Sequence, residues 1–325
     1  MGQVLYPLRF HPIFQYRIWG GSKLKNILKK KVLQDCIGES WELSDVAGHL
    51  SIVVNGPLAE ENIKTLIERY RGELVGKKVY QKFGTQFPLL IKFIDAQKPL
   101  SIQVHPGDDL AKKRHNSFGK NEMWYIMQAD EEAKLIVGFN QAASQERYFE
   151  WIEKGEIEKY LNKISVQKGQ VYYLPAGLVH AIGAGILIAE IQQTSNVTYR
   201  IYDYNRADKN GKQRELHTEL AADSIDFSLH DTCQTSYQLV ENRFSEVLKT
   251  SYFRINILSI LGNIEKDYTD QDCFTILIAV EGALTVKTLA GIEEMKAGEL
   301  LFLPACIAQV KFESLSGGKL LEVTL

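Results

Sequence analysis

A short set of residues in this chain has the types and spacing to hold a divalent metal. In SIQVHP (101–106), a strand would turn Ser101, Gln103 and His105 to one face and Ile102 and Val104 to the other. Glu122 opens the apolar run in KNEMWYI, and His180 closes the turn PAGLVH, where Gly177 permits a sharp bend. Two imidazoles, a carboxylate and an amide oxygen suit a hard or borderline cation, and zinc with nitrogen and oxygen ligands is the favoured choice. An open coordination position on such an ion is a Lewis-acid site. His11, His49, His115, His217 and His230 lack a comparable setting and read as structural or surface residues.

A second group carries charge. In GILIAEIQQTSNVTYRIYDYNR, Glu190 precedes Arg200 by ten residues. Strand alternation puts Glu190 with Gln192, and Arg200 with Thr198, Tyr202 and Tyr204. On residue type alone, Glu190 and Arg200 read as a cross-strand ion pair of little functional weight. Lys120, Lys92 and Lys98 are further cations near the candidate ligands. Trp19, Trp41 and Trp124 read first as core between sheets, with a sugar-facing wall as the second reading.

These residues must be positioned by β structure. Short apolar runs bounded by Gly, Pro and Asp recur at 88–96, 99–106, 123–129, 133–139, 169–175, 185–193, 197–204, 274–280, 283–289 and 300–305. Such spacing points to sandwiches or barrels rather than alternating β/α units. Helices are peripheral. Ile63, Leu66, Ile67 and Tyr70 mark one helical face, Ser144 can cap a second helix with Tyr148, Phe149, Ile152 and Leu161 as buried positions, and Asp108 can cap a third running to Lys113.

GQVYYLPAGLVH (169–180) and GELLFLPACIAQ (298–309) share one pattern, as do MWYIMQADEEAKL and FTILIAVEGAL upstream of them. Two similarities in the same order indicate duplicated β-domains. The expected division is a metal-binding domain over residues 1–235, with helical insertions, and a degenerate domain over 236–325. In the second copy Gln309 replaces His180, Cys306 replaces Gly177, and Cys273 falls near the position of Glu122, so this copy is expected to bind no metal.

Composition narrows the function classes. The chain is 45% hydrophobic and 24% charged with a net charge of −2, which supplies a core and offers no global basic field for nucleic acid. No apolar run approaches the ~20 residues of a membrane span. MGQVLYPLRF lacks the charged and apolar regions of a secretory signal. Four scattered cysteines without a CxxC pair disfavour a disulfide framework or thiolate zinc site and fit a reducing cytoplasm.

GQVYYLPAGLVH resembles the second motif of the cupin superfamily. QVHP, the Lys-x-Glu segment at 120–122, PAGLVHAI and the later Arg200 together resemble type I mannose-6-phosphate isomerases, closest to the short bacterial form. The resemblance runs from WGG (19–21) and GESWELSDV (38–46) to about residue 226 and weakens after 240. It implies a mainly β protein with two cupin-type jelly-roll barrels and one zinc per chain held by Gln103, His105, Glu122 and His180. It also turns Arg200 and Glu190 from an ion pair into active-site residues, and brings Lys120 toward a phosphosugar substrate. The implied activity is aldose–ketose isomerisation between mannose 6-phosphate and fructose 6-phosphate. The alternatives are another metal cupin enzyme such as an oxygenase, and a non-catalytic sugar-binding bicupin. No membrane or nucleic-acid partner is expected, and the oligomeric state stays open.

Overall fold

The computed structural model describes residues 4–208 and 210–325; the first three residues of the opening segment considered for a leader lie outside that range. The chain is mainly β with a few short helices, arranged as cupin-type jelly-roll units. A seven-stranded sheet runs in the order Ile13–Gly21, Ile37–Leu43, Leu89–Ala96, Ile186–Gln193, Glu122–Ala129, Val171–Leu174, Gln234–Thr235. Facing it is a five-stranded sheet in the order Tyr199–Tyr202, Ile102–Val104, His180–Ile182, Lys134–Phe139, Leu161–Ser165. A six-stranded sheet is formed by residues 243–324.

The central strands of the large sheet are buried on both faces. In Ile186–Gln193, Leu187, Ala189 and Ile191 join a core that also contains Phe274, Ile276, Phe302 and Val323 of the C-terminal sheet. The opposite face starts with Ile186 and Ile188, which pack with Trp19, Ile94, Trp124, Leu135 and Val137 between the two N-terminal sheets. That same face then changes character, to Glu190 and Gln192. Neighbouring strands change with it: Glu190 pairs with Lys92 on one side and Trp124 on the other, and Gln192 pairs with Glu122. The inter-sheet space is therefore apolar at one end and ionic at the other.

Helix expectations hold with adjustments. Ile63–Tyr70 is helical, capped by the Asn62 side chain, with Ile63, Leu66 and Ile67 buried. Ser144 caps Gln145–Glu153 by accepting from the Arg147 amide; Tyr148 and Trp151 are the buried residues, while Leu161 belongs to a strand. Asp108 is the first residue of the helix Asp108–His115 and not its cap. Its Oδ1 accepts from the Gly119 amide and Gln193 Nε2, and Gly107 holds the cap position.

The repeat is visible with a shifted register. Leu174 pairs with Glu122 just before Pro175, and Leu303 pairs with Thr275 just before Pro304. Thr275, not Cys273, thus occupies the place of Glu122. Gln309 is exposed and pairs with Asp267, while the next residue, Val310, is turned into the core. The runs 274–280 and 283–289 are one bent strand, Thr275–Thr288, whose register slips around Glu281 and Gly282.

Candidate metal centre and adjoining cleft

Three elements bring the candidate ligands together. His105 follows directly on the Ile102–Val104 strand, Glu122 opens its strand in the opposite sheet, and His180 opens the short strand that ends at Ile182. The turn before His180 needs Gly177, whose φ of +91° is a left-handed conformation and whose amide donates to the His105 carbonyl at 2.9 Å. Asn121 fastens the same turn by accepting from the Ala176 amide at 3.0 Å. Both ligand-bearing segments are thus tied to each other through the backbone.

Each imidazole has a fixed orientation. His105 Nδ1 donates to the Val197 carbonyl at 2.9 Å, and His180 Nδ1 donates to the Leu178 carbonyl at 2.8 Å. A carbonyl can only accept, so both Nε2 atoms present lone pairs to the interior. His105 Nε2 lies 3.2 Å from Glu122 Oε1, and His180 Nε2 lies 3.7 Å from Glu122 Oε2. The candidate ligand atoms of the three residues fall within 4.8 Å of one another, and all three side chains are buried. Gln103 stands beside them, its amide 3.4 Å from His180 Nε2.

The charge states suit a cation. Burial, reinforced by the Lys120 ammonium, pushes His105 down to about 3 despite the attraction of Glu122. Burial also lowers His180. Burial alone would raise Glu122, but Lys120 and the two histidines hold it well below the usual carboxylate range. Neutral imidazoles, an ionised carboxylate and a buried Glu122 Oε2 without a hydrogen-bond partner form a donor set that fits a divalent metal. Lys120 Nζ contacts Glu122 Oε1 and lies 3.0 Å from His105 Nε2.

The centre adjoins a cleft of about 500 Å³ whose lining includes Arg17, Glu39, Lys92, Gln103, Lys120, Glu190, Arg200 and Arg214. Glu190 Oε1 accepts from Trp124 Nε1 at 2.9 Å; Oε2 is in ion-pair contact with Lys92 at 3.1 Å but has no aligned hydrogen bond. Burial, then Glu122, raises its pKa against the pull of Lys92 and Lys120.

The expected Glu190–Arg200 cross-strand pair does not form. The two residues are on different sheets and face one cleft from opposite sides, because the chain crosses over between them at 194–198. Arg200 instead pairs in register with Gln103, which itself pairs with His180. The register slips between Arg200 and Tyr202, so Thr198 and Arg200 line the cleft while Tyr202 and Tyr204 join the core behind the small sheet. Lys92 faces the cleft and Lys98 does not line it. Arg17, Glu39 and Arg214 also line it without having been expected there. Trp41 Nε1 donates to Glu39 at 2.6 Å, but the polar residues and glycine of Ile37–Leu43 leave no alternation that marks Glu39 in the sequence.

Fold and site together define a cupin protein with a buried centre fit for a divalent metal beside a charged cleft. Residues 8–140 match the model of the phosphomannose isomerase type I catalytic domain. The chain is 34% identical to mannose-6-phosphate isomerase ManA of Bacillus subtilis over 94% of its own length and 96% of the relative's. It is 33% identical to the mannose-6-phosphate isomerase of Streptococcus mutans over 94% and 95%. The crystal structure of the Bacillus subtilis mannose 6-phosphate isomerase superposes with a TM-score of 0.88 at 30% identity, covering 98% of this chain and 99% of that one. The chain belongs to the type I mannose-6-phosphate isomerase family.

Proposed function

We propose that the protein is a zinc-dependent aldose–ketose isomerase that interconverts mannose 6-phosphate and fructose 6-phosphate. The observation that carries this reading is the convergence of His105, Glu122 and His180 beside a cleft whose lining includes Gln103, Lys120, Glu190 and Arg200. His105, Glu122 and His180 would hold one zinc ion, with Gln103 as a fourth ligand or neighbour. When bound, the ion supplies Lewis acidity toward the sugar oxygens.

Glu190 serves as the base. Its Oε1 is occupied by Trp124 and its Oε2 is not hydrogen-bonded, and a raised pKa makes it a stronger proton acceptor than an ordinary carboxylate. It takes the proton from C2 of the open-chain aldose. The electron pair becomes the C1–C2 double bond of an enediolate, with the O2 proton passing to O1 and the negative charge left on O2. Return of the proton to C1 gives the ketose. Lys120, buried beside Glu122, binds substrate oxygen, and Arg200 stabilises negative charge from a fixed position. No helix among the described residues is long and apolar enough to cross a membrane, and the four cysteines are unpaired; a cytoplasmic setting accords with both. An oxygenase or a binding-only bicupin would leave the paired placement of Glu190 and the cationic cleft without a use.

A coupled assay for fructose 6-phosphate formation tests the reading. Turnover of mannose 6-phosphate by the purified chain is expected; none under conditions where the chain is folded and metal-loaded would overturn it.

A further inference from the structure

We propose that His217 is a positioning residue for Arg200, and that it holds Arg200 in place only while its imidazole is neutral. The inference rests on the isomerase reading for what Arg200 does, and on the edge of the sheet for how Arg200 is held.

Arg200 lies on Tyr199–Tyr202, the edge strand of the five-stranded sheet. One side of it pairs with Ile102–Val104, and among the described residues no strand pairs with the other. The segment 215–217 takes that place. The His217 amide donates to the Arg200 carbonyl at 2.7 Å, and the Arg200 amide donates to His217 Nδ1 at 3.1 Å. Two residues earlier, the Glu215 carbonyl accepts from Arg200 Nη1 at 2.8 Å. One tripeptide therefore holds the amide, the carbonyl and the guanidinium of a single residue. Arg200 Nε is buried without a hydrogen-bond partner and stays open as a donor.

The tripeptide is itself anchored on both sides. Before it, Arg214 Nε donates to Asp203 Oδ2 at 2.8 Å. After it, the helix Thr218–Ala222 places Ala221 and Ala222 in one core with Tyr199 and Ile201. The backbone of His217 is fixed by these anchors, so its ring is a firm stop for the Arg200 peptide.

An amide can only donate, so Nδ1 must offer its lone pair and the ring proton must sit on Nε2. A protonated imidazole donates at both nitrogens and cannot accept. Protonation would break the contact and set a second cation beside Arg200. The groups facing the ring are Arg200 and Tyr199 from the strand, His115 from the helix Asp108–His115, and Glu215 from its own segment. Burial, then the charges of Arg200 and His115, hold the pKa of His217 below its ordinary value, with Glu215 opposing them. The ring is thus neutral at neutral pH and takes up a proton in acid, which couples the placement of Arg200 to acidification.

Steady-state kinetics of the metal-loaded enzyme test the clamp. His217→Leu removes the acceptor at similar volume. It is expected to lower kcat about tenfold, the scale of one hydrogen bond. KM for mannose 6-phosphate should change less than about twofold, because Arg200 acts on charge that develops during the reaction. Metal content should match the wild type. In His217→Asn, Oδ1 can accept in place of Nδ1 but does not titrate, so this variant should restore most of the lost kcat. The ratio of wild-type to His217→Asn kcat should fall as pH drops from about 7 to about 5, since the titration of shared groups cancels in the ratio. Unchanged kcat in folded, metal-loaded His217→Leu, or a loss that His217→Asn does not restore, overturns the positioning role. A ratio constant with pH overturns the need for a neutral ring, and it decides alone if His217→Leu does not fold. The nitrogen NMR spectrum of the histidine rings, assigned with His217→Asn, needs no turnover: a proton on Nε2 of His217 at neutral pH supports the clamp, and one on Nδ1 refutes it. A wild type with the Nε2 proton that turns over no mannose 6-phosphate leaves the clamp standing and removes the isomerase reading.

Discussion

Trp41 and Trp124 each anchor a carboxylate of the cleft while filling core. Trp41 is buried and donates to Glu39; Trp124 is buried, donates to Glu190 and sets its ring edge-on to His180 at 5.4 Å. Trp41 and Trp124 are buried and do not line the cleft, whereas Trp19, buried between the two N-terminal sheets, does line it. At this scale the ligand assignment predicts that His180→Ala loses most bound metal while remaining folded, read by elemental analysis; full occupancy would count against it. Arg200→Ala is expected to lower kcat/KM by about 10²-fold, the scale of one preorganised electrostatic donor, with Arg200→Lys recovering part. Steady-state kinetics beside metal content and the unfolding midpoint check this, since loss of metal or of the fold would make Arg200 structural.

Glu39 links charge to stability. Burial would raise its pKa, but Lys92 and then Arg17 overcome burial and hold it at about 2. A depressed carboxylate contributes stability above its unfolded value, near 4.5, and the contribution disappears as pH falls through the folded value. The window is thus pH 4.5 to about 2, and the shift corresponds to about 3 kcal/mol. Glu39→Gln should unfold more easily than the wild type at pH 7, with the gap closing as pH falls through that window. Denaturant midpoints across the pH range decide it; a gap that is constant with pH contradicts the linkage.

At the scale of elements, the site depends on how closely the Ile13–Gly21 and Ile37–Leu43 strands approach. A Cβ on Gly20 would lie 2.4 Å from the Gly38 amide nitrogen and 2.6 Å from the Cys36 carbonyl oxygen. Backbone cannot give way as a flexible side chain can, so the WGG segment is fixed by packing. Gly20→Ala is expected to cost about 1–3 kcal/mol, the usual range for overpacking, and to disturb Arg17 and Trp19 in the same strand. A thermal melt showing wild-type stability would refute this. The same strands show what the sequence could convey. Period-two alternation in SIQVHP exposed the ligand face, since Ile102 and Val104 pack behind it. The strands Ile13–Gly21 and Ile37–Leu43 were not read as strands, because mixed polar residues and the glycines interrupt any alternation. Arg17 and Arg214 reach the cleft from a strand and a loop far apart in sequence, so no local spacing could reveal them.

Across the whole molecule, the two copies diverge where the chemistry lies. Glu190 pairs with Trp124, two residues beyond Glu122; Glu322 pairs with Leu277, two residues beyond Thr275. The second copy thus keeps a buried carboxylate at the register of Glu190, and there Lys266 at 2.6 Å, Asn256 Nδ2 at 2.7 Å and the Tyr268 hydroxyl satisfy it. One copy leaves a carboxylate oxygen available and the other closes its interior, which explains why a repeat legible in the sequence implied duplicated architecture without duplicated chemistry. The C-terminal sheet shares its core with the back of the catalytic sheet, through Phe274, Phe302 and Val323 against Ile91, Phe93 and Ile191, so it braces the strands that carry Lys92, Glu122 and Glu190. The central claim is that a single metal, held by His105, Glu122 and His180, supports the isomerisation. Metal-depleted protein titrated with zinc, with fructose 6-phosphate formation followed at each addition, tests it most directly. Activity should rise from near zero and stop rising at one zinc per chain; turnover that survives depletion, or that rises to two zinc ions per chain, would contradict the account.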